Sequence, residues 1–173
     1  MDPRSFAAGF FSASALSIIL FILLSPTYSL QPVTSPGAES EIISLISSAE
    51  HSVHIETYMM TSEEVIAALK AAKARGVDVR IILERRVEGD RNMHAFQSLS
   101  SAGIDVRWAP PSFKLVHSKM IIIDGKKVLV GSHNLSASAL SQNREISVLF
   151  DGNSVRQFIE IFQRDWANTS PPA

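Results

Sequence analysis

Residues 116–134 read VHSKMIIIDGKKVLVGSHN, with a polar pair near each end and an apolar middle. Met120 to Ile123 is an unbroken apolar run, Asp124-Gly125 is a dipeptide favoured in tight hairpins, and Lys127 to Val130 is a second short strand pattern. Two strands around a turn are therefore expected, Lys114 to Ile123 and Lys127 to Val130. Residues two apart on a strand project to one side, so His117 goes with Lys119, and Ser132 with Asn134. A two-residue loop, Asp124-Gly125 or Gly125-Lys126, sets odd positions against even ones and gathers all four polar side chains on one face. A three-residue loop reverses that parity and separates the pairs.

The flanking sequence supplies a layered frame for this hairpin. Glu41 to Ser48 reads as a helix and Val53 to Met59 as a strand. Thr61 with Glu64 is a capping box for a helix carrying Val65, Ile66, Leu69 and Ala72, which Gly76 ends. Val77 to Leu83 is a strand, Asp90 caps a helix carrying Met93, Phe96 and Leu99, and Ile104 to Trp108 is a further strand. After the hairpin come a strand at Ile146 to Phe150 and a helix with Val155, Phe158, Ile159, Phe162 and Trp166 on one face. Strands alternating with helices predict an α/β layered domain, its sheet mixed but largely parallel and flanked by helices. No internal repeat is visible.

With 173 residues, the chain has room for one compact domain and a short appendage. Hydrophobic residues at 46% and charged residues at 19% suit a globular core. A net charge of -1 excludes a global basic field, so a polyanion would need a local patch. Arg85, Arg86, Lys114 and Arg144 are the candidates for one. With no cysteine there is no disulfide, thiol nucleophile or thiolate metal site.

The N-terminus has a different character. Phe6 to Leu24 carries no charge, Arg4 precedes it, and Glu39 and Glu41 follow it, with no Lys or Arg until Lys70. That bias places the following domain outside the cytoplasm, either periplasmic or secreted, or held at the membrane by the N-terminal segment. Thr27-Tyr28-Ser29 has the small residues of a cleavage site. The expected division is 1–29 as signal peptide or membrane anchor, 30–40 as a linker rich in Pro, Ser and Thr, 41–168 as the catalytic domain and 169–173 as a tail.

An imidazole, an ammonium, a hydroxyl and a carboxamide brought together suit a phosphate. Lys119 offers charge, Ser132 and Asn134 offer neutral donors, and His117 offers a nitrogen nucleophile, a set that can stabilise a pentacovalent transition state without a metal ion. A second histidine is needed to protonate the leaving oxygen, and His51, His54, His94 and His133 all lack a lysine two residues on. Gly131 reads as a point of close backbone approach, and Asp124 as a turn residue.

The pattern His117-Ser-Lys119, four residues, Asp124, six residues, Gly131-Ser132-His133-Asn134 is similar to the HxKxxxxDxxxxxxGSxN signature of the phospholipase D superfamily. The resemblance runs from about Glu41 to Trp166 and points to the small bacterial endonucleases of that superfamily, which carry one motif per chain. It implies a phospholipase D-like fold and a homodimer in which two copies of His117 face each other. One copy forms a phosphohistidine; the other acts as general acid and then as base. It further implies that Glu145 hydrogen-bonds His117 and fixes its tautomer, that Asp124 is structural, and that no metal or other cofactor takes part. The expected activity is metal-independent, non-specific DNA cleavage. The alternatives are a membrane-associated phospholipid hydrolase of phospholipase D type and, from another class, an inactive nucleic-acid-binding dimer.

Overall fold

The computed structural model describes residues 29–169. The expected signal peptide or anchor and the C-terminal tail lie, Ser29 and Thr169 aside, outside the described residues, among which no helix is long and apolar enough to cross a membrane. The elements are β1 (Leu30–Thr34), α1 (Ala38–Ser47), β2 (Ser52–Thr57), α2 (Glu63–Ala74), β3 (Asp78–Leu83), α3 (Met93–Ser101), β4 (Asp105–Trp108), β5 (Lys119–Ile123), β6 (Lys127–Gly131), α4 (Ala137–Ser141), β7 (Ile146–Asp151) and α5 (Val155–Ala167).

One mixed sheet runs β1-β7-β6-β5-β2-β3-β4, with helices on both faces. Parallel pairing is confined to β2-β3 and β3-β4, where helices make the crossovers; the other four pairings are antiparallel, so the parallel share is smaller than expected. The main core lies between one face (Ile55, Ile81, Ile121, Leu129) and helices α1 to α4, which contribute Ile42, Leu69, Leu99 and Leu140. The other face packs Ile82, Met120, Ile122 and Val128 against Val155 and Phe162 of α5. Burial on both sides is why Met120 to Ile123 shows no alternation.

The 30–40 segment is not a linker. β1 pairs antiparallel with β7, Val33 is buried, and α1 already begins at Ala38. Its composition misleads because an edge strand tolerates Pro32, whose missing N–H costs no ladder bond on the open side. Two expected caps also move by a residue or two. Ser62 rather than Thr61 caps α2 through Val65 N–H (3.2 Å), and Asn92 rather than Asp90 precedes α3. Residues 114–118 are not strand, since β5 starts only at Lys119.

Candidate active site

The hairpin settles the parity question against the expected arrangement. Met120 pairs with Val130 and Ile123 with Lys127, leaving the three-residue loop Asp124-Gly125-Lys126. Asp124 (φ 53°) and Gly125 (φ 62°) both take left-handed backbone there. Strict alternation would now put Ser132 and Asn134 on the face opposite His117 and Lys119.

Convergence has another cause: the site residues sit at or just beyond strand ends. Because β5 is antiparallel to β2, β6 to β5 and β7 to β6, the C-terminal end of β2, the start of β5, the end of β6 and the start of β7 lie along one edge of the sheet. His117 comes two residues before β5, Ser132 and Asn134 follow β6, and Glu145 immediately precedes β7. Beyond Gly131 the chain leaves the ladder and docks on the end of β2. Leu135 N–H donates to the Met59 carbonyl (2.9 Å), while Thr61 and Ser62 donate to the Leu135 carbonyl (2.8 and 3.0 Å). Asn134 is thereby carried to the end of β2, half-buried, with an Oδ1 that has no hydrogen-bond partner among the described residues.

His117 is exposed, its ring against Tyr58 with centroids 4.6 Å apart. The Lys119 ammonium donates to the His117 carbonyl (2.7 Å), lies 3.3 Å from His117 Nδ1 and sits 5.2 Å from the Tyr58 ring centroid. Burial pulls the Lys119 amine below the usual lysine range, and the Glu145 charge partly offsets this. Glu145 accepts from Asn143 Nδ2 (3.4 Å) and makes no hydrogen bond to His117 within this one chain. Tyr58 went unnoticed in the sequence because it sits in no motif.

Ser132 does not offer its proton to a ligand as expected. Its hydroxyl donates to the Ile146 carbonyl (3.2 Å) and accepts the Ile146 N–H (3.0 Å), fastening the start of β7 beside Glu145. Gly131 faces Ser147 across the β6-β7 ladder, and a Cβ there would overlap Ser147 Cα and the Ile146 carbonyl. Asp124 accepts the N–H groups of Glu50 (3.1 Å), His51 (2.7 Å) and Ser52 (2.8 Å), pinning the turn to the start of β2. Burial opposes ionisation of its carboxyl, but those backbone bonds hold it below the usual range.

The other histidines lie away from this edge or are buried behind it. His133 is buried, with Nε2 2.8 Å from Ser35 Oγ and Nδ1 2.7 Å from Ser147 Oγ. Since Ser35 gives its own proton to the Leu140 carbonyl (3.1 Å), Nε2 is the donor. Burial lowers its pKa, against the pull of Glu145, and so favours the neutral ring. His54 stacks on Phe162 under α5, His94 meets Glu63 (3.2 Å), and the His51 backbone binds Asp124 at the opposite end of the hairpin.

The expected basic patch is divided. Arg86 is committed to Glu84 and to the Phe113 carbonyl, and Arg144 donates to the Ser35 carbonyl (3.2 Å). Arg85 lies over Trp108 (5.6 Å), and Lys114 is exposed. Among the described residues no group of three or more His, Asp or Glu side chains is placed to hold a metal ion.

Between His117 and Lys119, Ser118 points to the α5 side and donates to Glu56 Oε1, whose Oε2 has no partner among the described residues. Burial lifts the Glu56 carboxyl from 4.5 to about 7 in spite of that bond, and the Asp165 charge adds to the rise. A folded-state pKa above the unfolded one means that the native state holds the extra proton. Stability is therefore present below 4.5 and lost as the pH climbs through about 7, by up to roughly 3 kcal/mol. Glu56→Gln is expected to flatten this slope in thermal midpoints measured from pH 4.5 to 7.5. Parallel curves for the two proteins would refute the assignment.

A sheet edge that presents histidine, lysine and asparagine from strand ends, with a glycine-tight neighbouring pair behind them, defines a phospholipase D-like site. The chain belongs to that superfamily: the family model described as cardiolipin synthase, PLD-like domain, matches residues 42–166. It is 32% identical over 134 residues to a phospholipase D of Rickettsia conorii, an alignment covering 76% of this chain and 64% of the relative's length. The crystal structure of Nuc from Salmonella typhimurium, a phospholipase D family member, superposes with a TM-score of 0.78 at 31% identity, covering 84% of this chain and 99% of that one. NucT from Helicobacter pylori shares the fold, with a TM-score of 0.73 at 22% identity.

Proposed function

We propose that this chain is a phosphodiesterase acting as a homodimer through a phosphohistidine, with nucleic acid as its substrate. The observation that carries the reading is the gathering of His117, Lys119 and Asn134 at one sheet edge, where the exposed His117 imidazole lies 3.3 Å from the Lys119 ammonium. A single exposed imidazole is half of an acid–base pair, and a two-fold axis through this edge supplies the other half. His117 attacks phosphorus through Nε2, the nitrogen turned away from Lys119. The P–N bond forms as the bond to the leaving oxygen breaks, and His117 of the partner subunit gives that oxygen its proton. The same imidazole then takes a proton from water as the water oxygen displaces His117 from phosphorus. Lys119 and the Asn134 amide stabilise the added charge on the phosphoryl oxygens. Glu145, within electrostatic reach of Lys119, is placed to orient the imidazoles once the dimer forms. Arg85 and Lys114, without ionic partners among the described residues, serve the flanking phosphates.

Nucleic acid is favoured by the match to Nuc, which takes in 99% of that chain and 84% of this one. A phospholipid substrate has its own support. Phe113 and Leu115, 45% and 40% exposed, flank Lys114 on the loop before His117, and the curated relative is named phospholipase D. Purified protein with plasmid in EDTA and, separately, with liposomes divides the two readings. Nicking that persists in EDTA is expected. Headgroup release without nicking would replace the nuclease reading by the lipid one, and binding without cleavage of either would leave an inactive dimer.

A further inference from the structure

The ten residues between β4 and β5 carry His117 and are packed only near their ends. Ala109, Pro110 and Val116 are buried, whereas 111–115 are exposed. Apolar contact anchors it at Ala109 and Val116, and polar tethers do the rest. The structure supplies a fully buried carboxylate, Glu84, at the end of β3. Its Oε2 accepts the Val116 N–H (2.7 Å) and Arg86 Nη2 (2.8 Å); its Oε1 accepts Arg86 N–H (2.8 Å) and Arg86 Nε (2.6 Å). Arg86 Nη1 reaches on to the Phe113 carbonyl (2.7 Å). The segment is thus fastened at Phe113 and again at Val116, one residue before His117.

The same carboxylate residue closes a ring of contacts around the imidazole. Buried Asn92 donates to the Glu84 carbonyl (2.8 Å) and the Tyr58 carbonyl (2.8 Å) and accepts the Met60 N–H (2.9 Å). Tyr58 N–H in turn donates to the Ser118 carbonyl (3.0 Å), and the Tyr58 ring packs against His117. His117 is held from its N-terminal side through Val116 and from its ring through Tyr58, and both paths end on Glu84.

We infer that Glu84, with Arg86 and Asn92, is a positioning residue that sets the place and direction of the His117 imidazole. The inference rests on the phosphodiesterase reading for its effect on rate. All four groups around the carboxylate are donors, so it is an acceptor at every contact. A carboxamide cannot replace it: its NH2 must face two of those donors, either Val116 N–H with Arg86 Nη2 or Arg86 N–H with Nε. A misplaced nucleophile loses rate in the chemical step while substrate affinity is kept.

The test is Glu84→Gln in the full chain, assayed on bis(p-nitrophenyl) phosphate, which has no extended contacts to lose. The expected result is a fall in kcat of roughly 10- to 100-fold with KM within about twofold, in a protein still folded at the assay temperature. In NMR spectra the His117 ring protons should lose the ring-current shift imposed by Tyr58. Arg86→Met, which keeps the Val116 bond and removes the Phe113 tether, should give a smaller change of the same kind, and it carries the test if Glu84→Gln does not fold. A folded variant with wild-type kcat and unmoved His117 ring signals would overturn the inference. Wild-type protein silent on this diester would overturn the phosphodiesterase reading instead, with the ring signals still deciding the role of Glu84.

Discussion

Replacing His117 with Asn is expected to lower turnover by at least about 10^4-fold, because the reaction loses its nucleophile rather than a helper. Enzyme denatured at alkaline pH, where a P–N bond survives, should show no phosphorylated protein for the variant, whereas wild type caught during turnover should. The exposed position of His117 makes the substitution a clean one: its contacts are the Tyr58 ring and the Lys119 side chain, and no core is disturbed. Mixed dimers sharpen the result. If each centre needs both imidazoles, a dimer of one His117→Asn subunit and one wild-type subunit loses nearly all activity instead of half. Half-activity in such dimers, or a fully active monomer by ultracentrifugation, would show that a single chain completes the chemistry.

Gly131→Ala is the second large effect, and it acts on the fold. Gly131 lies opposite Ser147, and an added methyl would meet Ser147 Cα and the Ile146 carbonyl, which are backbone and cannot swing aside. The cost is about 3 kcal/mol or more, measurable as a lower denaturant midpoint. Ser147→Gly added to it should not restore stability, because the obstructing Cα and carbonyl remain. Any surviving protein should also lose activity, since pushing β6 from β7 breaks the Ser132 clasp on Ile146 that sets Glu145 in place. Near-wild-type stability of Gly131→Ala would mean that the strands can separate at little cost.

Much of the frame was legible because its signals are local. The apolar stripes of α2 and α5, the glycine after α2 and the hairpin around Asp124-Gly125 each follow from residues close in sequence. In sequence β1 reads as a linker because its only strong burial, at Val33, depends on pairing with β7 more than a hundred residues away. The turn length was undecidable for a similar reason. Either loop suits Asp-Gly locally, and the three-residue form is held by Asp124 accepting N–H groups from residues 50–52.

By itself the sequence determined the residue set: a histidine, a lysine and an asparagine at one spacing, with nothing else in the chain matching it. Its motif spacing also named the superfamily. Only the tertiary structure decided how those residues meet, which is at the ends of antiparallel strands on one sheet edge, not across one face of a hairpin. It alone showed that Ser132 and Arg86 are internally engaged, that His133 is a buried strut, and that Glu84 holds the loop of His117. The physical reason is the range of the forces. Side-chain type and periodicity are properties of neighbours in the chain, whereas satisfying a buried carboxylate or imidazole requires donors and acceptors that folding brings from distant segments.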